Sequence, residues 1–119
     1  MLSIRVLEGR TKTGTVRLAA GIDAAVAAGA HVINLSLSLV PSVAAQVHPG
    51  SELVLALERA ARAGAVVVAA AGNDGAPLCA QPLLTTRILC VGALDRACRR
   101  ARYSNYGQRV DSVAPGGDG

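Results

Sequence analysis

Twice along the chain a segment of helical periodicity runs directly into a strand-like, mainly apolar stretch, and this order constrains the fold more than any other feature. In the first unit Leu18, Ile22, Ala25 and Val26 recur at i, i+4, i+7 and i+8, with Thr15 as the candidate N-cap and Gly29 as the stop. Residues 32–37 follow as a strand. In the second unit Ser51 is the candidate cap, Glu52 suits the positive end of a helix, and Leu53, Leu57, Ala60 and Ala61 share one face before Gly64. Residues 65–70 then read as a second strand. Strands of this kind, coupled to helices, predict a doubly wound parallel sheet with helices on both faces. Residues 4–7 form a short apolar run, and residues 9–14 and 38–50 read as surface loops. Ile88–Leu94 and residues 110–114 supply two further short strands. No helix follows before Gly119, so one face or edge of such a sheet is expected to be bare.

Composition narrows the function. Half of the 119 residues are apolar (51%), yet aromatic residues make up only 2% and neither Phe nor Trp occurs. The apolar weight therefore lies in Ala, Val, Leu and Ile, which pack helices closely onto buried strands. The net charge of +4 includes a cluster of Arg96, Arg99, Arg100 and Arg102, but charged residues are only 17% of the chain and no aromatic platform accompanies them. A solvated loop rather than a nucleic-acid surface is expected. No apolar stretch approaches the roughly 20 residues that cross a bilayer, and no signal core follows Met1, so neither a membrane partner nor an address is read from the chain itself. Cys79, Cys90 and Cys98 lack metal-type spacing; one bridge plus an odd thiol and three separate thiols fit equally well.

The chemistry concentrates at VVVAAAGNDG, residues 66–75. In open α/β sheets ligands sit beyond the carboxyl ends of the strands, and a glycine at that place lets another backbone approach. Asn73 would offer a side-chain amide donor there. Its alternative role is to cap the following turn.

Five blocks carry a resemblance: HVINLSLS, VVVAAAGN, ILCVGALD, RYSNYG and VAPG stand in the order and approximate spacing of the central blocks of the subtilisin-like serine peptidases (peptidase S8). The resemblance extends from Ile4 to Gly117. It implies that Asn73 belongs to the oxyanion hole, donating to the charge that develops as a scissile carbonyl is attacked. It further implies that Ser36, Leu37 and Ser38 form an edge that pairs with an extended peptide or protein substrate, and that Ala70, Ala71 and Gly72 form the opposite wall of the P1 pocket. Ser38 and Leu39 stand where the family commonly has glycine, which points to a reshaped rim. No cofactor is required. In some members a carboxylate at the position of Asp95, together with carbonyls of the preceding loop, here Thr86 and Ile88, binds calcium; the alternative is a solvated turn aspartate.

The Asp and His blocks of that family lie before the segment matching Ile4, and its Ser block lies after the segment matching Gly117. The chain is therefore expected to be a partial peptidase domain over residues 1–119, non-catalytic alone, from a typically secreted parent. His31 and His48 read as solvent-facing, and Ser36 and Ser104 as strand and loop residues rather than nucleophiles. A degenerate core that binds peptide without cutting it is the second reading, and self-association through a bare sheet face is expected of an isolated segment. A nucleotide-binding domain is disfavoured, because AGNDG lacks the GxGxxG spacing.

Overall fold

A computed structural model describes residues 1–7, 14–37, 47–79 and 88–119. Among them are α1 (Thr15–Ala27), β1 (Val32–Leu35), α2 (Glu52–Arg62), β2 (Val66–Ala70), β3 (Ile88–Leu94) and β4 (Ser112–Pro115). The four strands form one parallel sheet in the order β1-β2-β3-β4.

The elements end where backbone bonding dictates. Gly14, not Thr15, is the N-cap of α1, because the Gly14 carbonyl accepts the first helical bond from Leu18 N–H at 3.1 Å. The expected stops hold, with Gly29 and Gly64 at φ of +79° and +82° just beyond the two helices. Ser51 is the N-cap of α2, although its hydroxyl makes no capping bond into that helix. β1 is two residues shorter than expected, since its register with β2 closes at Leu35 opposite Ala69. β2 starts at Val66 because Ala65 N–H is already given to the Ala60 carbonyl of the preceding helix. Val110 N–H is held by a turn to the Gly107 carbonyl, which delays β4 to Ser112.

Both helices lie on one sheet face and pack against each other. Leu18 and Ile22 of α1, with Leu53, Ala56, Leu57 and Ala60 of α2, meet Ile33, Leu35, Val67, Ala69 and Ile88 of the strands in a single core. The parallel α/β class is as expected, but of the two faces expected to be covered the described helices cover one. The cause is topological: the strand order never reverses, and right-handed crossovers progressing in one direction return on the same side. On the opposite face Val32, Val66 and Leu89 remain 62%, 44% and 46% exposed.

A bidentate ion pair joins the helices, Arg59 Nε and Nη2 donating to Asp23 Oδ1 and Oδ2 at 2.9 and 2.8 Å. Its hydrogen bonds hold the Asp23 carboxyl below its ordinary value of 3.8. A depressed carboxyl contributes stability above its unfolded pKa, and that contribution is lost as pH falls through the folded value. The acid limb of a melting-temperature profile should therefore be shallower for Asp23→Asn than for the native protein below about pH 4. The difference should be modest, as both side chains are 41% exposed; superimposable acid limbs would remove the pair from the stability account.

Candidate functional site

β2 carries its chain to the carboxyl edge of the sheet, where it leaves through Ala71 and Gly72 into the loop that bears Asn73. Ala71 N–H donates to the Val91 carbonyl at 2.8 Å, so the strand is still anchored one residue past its end. Gly72 is buried with φ of +111°, and Gly75 returns the loop with φ of +60°. A side chain at either position would meet the steric penalty of the left-handed region. Between these two glycines Asn73 stands exposed, and among the described residues its amide has no hydrogen-bond partner.

Asn73 lines a cleft of about 310 Å³ at the carboxyl ends of the strands, together with Asn34, Ser36, Ala70, Ala71 and Gly72. Val68, Ala69, residues 91–93, Ser104 and residues 114–116 complete the lining. The sequence-derived wall and the Asn73 donor are thus brought together with Ser36. Ser36 follows β1, an edge strand of the described sheet, and its hydroxyl accepts from Asn34 Nδ2 at 2.9 Å. Leu37 packs partly buried against the helical core. Ser38 lies outside the described residues.

A block whose individual roles were not assigned from sequence, RYSNYG, turns out to organise this loop. Asn105 is 1% exposed and Ser104 is 1% exposed, the two buried polar residues of the described core. Ser104 Oγ accepts from Ala93 N–H at 2.8 Å and donates to the Asn105 carbonyl at 2.9 Å, which leaves it engaged as a structural hydroxyl. Tyr103 Oη donates to the Gly116 carbonyl at 2.9 Å and so ties the same block to the segment after β4. A buried Asn or Ser in a loop has no periodic signature, and only its position inside a family-like block could have marked it.

Below the loop, Cys79 and Cys90 form a disulfide, with Cys98 left as an exposed thiol, so the one-bridge alternative is the one realised. The cystine sulfurs and Ala71 make a small second core against Val110.

Asp95 caps its own turn. Its Oδ1 accepts from the backbone N–H of Ala97 at 2.8 Å and of Arg99 at 2.9 Å, and its Oδ2 faces Arg99 Nε at 3.2 Å. The Arg99 backbone bond, the largest influence, with Ala97 and the Arg99 charge, holds its carboxyl below the usual carboxylate range. Both oxygens already face donors and a cation stands beside them, which suits a turn cap. Ile88 is a buried core residue at the start of β3, Thr86 lies outside the described residues, and among the described residues no group of three or more metal-binding side chains converges.

Three of the four clustered arginines are tied locally. Arg99 pairs with Asp95, Arg96 reaches Asp118 at 3.5 Å, and Arg100 lies 4.3 Å from the Tyr106 ring centroid. His31 and His48 are exposed and lie outside the cleft lining. Among the described residues no helix is long and apolar enough to cross a membrane.

Comparison with known proteins agrees with this geometry. A profile of the Subtilase family, Peptidase S8, matches residues 1–118. The chain is 41% identical over 119 residues to the thermophilic serine proteinase of Bacillus sp. strain AK1, covering 99% of this chain and 28% of that protein. It is 38% identical over 117 residues to Subtilisin Savinase of Lederbergia lenta, covering 98% of this chain and 40% of the relative. Among solved structures, the prenylagaramide maturation protease PagA superposes with a TM-score of 0.78 at 28% identity, over 93% of this chain and 40% of that one. The chain therefore spans between roughly a quarter and two fifths of the length of these proteins.

Proposed function

Since the chain belongs to the Subtilase family, we propose that it is the central part of a serine endopeptidase, supplying the substrate cleft and one oxyanion donor. The observation that carries this reading is the placement of Asn73 beside Ser36 and Ala70–Gly72 in one cleft at the carboxyl edge of the sheet. In this proposal an extended substrate lies beside the chain that follows β1, at Ser36, Leu37 and Ser38, and hydrogen-bonds to its backbone. The side chain preceding the scissile bond enters between that edge and the Ala70–Gly72 wall. Asn73 Nδ2 then donates to the carbonyl oxygen as it becomes an oxyanion, an interaction that strengthens in the transition state and so raises kcat.

Nucleophile, base and the group that orients the base come, in this proposal, from sequence flanking the segment. Among the described residues Ser104 is hydrogen-bonded on both sides, and His31 and His48 do not line the cleft. The exposed Val32, Val66 and Leu89 on the face away from the helices support the same reading, because parallel sheets are buried on both faces and the relatives are longer. The disulfide favours an oxidising, extracytoplasmic compartment.

The test is to express the complete reading frame that contains this segment and assay it on a fluorogenic peptide. Turnover abolished by phenylmethylsulfonyl fluoride is expected. Saturable peptide binding without turnover, and without labelling by a fluorophosphonate, would replace the peptidase with a peptide-binding module.

A further inference from the structure

Asn105 uses its whole hydrogen-bonding capacity on the loop that bears Asn73. Its Oδ1 accepts from the backbone N–H of Asp74 at 2.9 Å and of Ala76 at 3.1 Å. Its Nδ2 donates to the Ala71 carbonyl at 3.0 Å and to Asp74 Oδ2 at 3.3 Å. The partners fix the orientation of the amide, since two are N–H donors and two are oxygen acceptors. The Asn105 backbone N–H adds a bond to the Gly72 carbonyl at 3.1 Å. The side chain thus grips the loop on both sides of Asn73 without touching Asn73 itself, and Gly75 N–H to the Tyr103 carbonyl at 2.8 Å and Tyr106 N–H to the Ala76 carbonyl at 3.0 Å close the clamp.

We infer that Asn105 is a positioning residue for the reaction: it holds the segment 71–76 in the one conformation that keeps the Asn73 amide in the cleft. The inference rests on the peptidase reading above. An oxyanion donor is effective only when it is already in place as charge develops, because reorganising it would consume the stabilisation it gives. Asn73 is exposed, with Gly72 before it and Gly75 two residues after it, so its local sequence provides little rigidity. Rigidity must come from outside the loop, and a buried, fully satisfied amide supplies it. Removing that side chain would leave two N–H groups and a carbonyl in search of partners, and the loop would relax to find them.

The experiment is a double-mutant cycle in the full-length protein, with hydrogen exchange read on the wild type. The Asp74 and Ala76 amides should exchange as slowly as amides of β2 although their loop lies at the surface. Asn105→Ala should lower kcat by about 10–100-fold with little change in KM, the scale of a catalytic group misplaced by about 1 Å. In an Asn73→Ala background the same change should lower kcat less than about 3-fold, because the group it positions is gone. Equal losses in both backgrounds, a loss confined to KM, or fast exchange of the two amides in the wild type would each overturn the inference. The exchange measurement decides the matter even where Asn105→Ala does not fold. A wild-type protein with slow exchange and no peptidase activity would instead refute the reading beneath it, and the positioning role with it.

Discussion

Asn73→Leu in the full-length peptidase should lower kcat by about 10²–10³-fold, or about 2.7–4 kcal/mol, while KM stays nearly constant; the magnitude is that of a subtilisin's own oxyanion asparagine rather than one obtained from this structure. Leucine keeps the approximate shape and removes the donor. The substitution should cost little stability, because Asn73 is exposed and its amide has no described partner to lose. This separates chemistry from folding: an interaction made only in the transition state reduces kcat and kcat/KM together. Steady-state kinetics on a peptide substrate, with a thermal melt of the same preparation, checks both halves. A kcat within about 3-fold of the native value would mean that the asparagine only shapes its turn.

Removing the Cys79–Cys90 bridge, as Cys79→Ala/Cys90→Ala or by reduction, should lower the unfolding free energy by about 3 kcal/mol, the entropy of closing a loop of this size. Both sulfurs are buried, Cys79 at 4% and Cys90 at 0% exposed, and they pack with Ala71 at the base of the Asn73 loop. The bridge therefore ties the end of that loop to the middle of β3. Denaturant titration should show a lower midpoint and a somewhat steeper slope, since the uncrosslinked unfolded chain exposes more surface. The exposed Cys98 should contribute nothing, and Cys98→Ser should leave the midpoint where it was. A loss below about 1 kcal/mol on removing the bridge would mean that the surrounding packing already holds the two segments together.

The element order was legible because burial imposes periodicity. Leu18, Ile22 and Ala25 mark the inward stripe of α1, and β3 was delimited to the residue by its apolar content. Side-to-side placement was not legible. Whether a crossover returns above or below the sheet depends on the direction in which strands are added, and no single helix or strand records that; here it placed both helices on one face. The N-cap of α1 was misplaced by one residue because Thr15 has the better capping side chain, whereas the backbone bond to the Gly14 carbonyl defines the helix start.

For the site, a family-like block supplied what physics alone could not. Asn73 at the end of an apolar strand is a plausible donor on any α/β sheet, and only its neighbours in sequence attached it to acyl transfer. Asn105 escaped for the opposite reason. Its importance lies in four hydrogen bonds to residues about thirty positions earlier in the chain, a relation that exists only after folding. Asp95 had two readings from sequence, a cation ligand and a turn aspartate, and its bonds to the Ala97 and Arg99 amides support the second.

The most direct test is a crystal structure of the full-length protein with a peptide boronate bound covalently as a mimic of the tetrahedral intermediate. Asn73 Nδ2 should lie about 2.7–3.1 Å from the boronate oxygen that stands for the oxyanion, with the peptide running along Ser36 and Leu37. An Asn73 side chain turned away from that oxygen, or a peptide seated elsewhere on the sheet, would contradict the account.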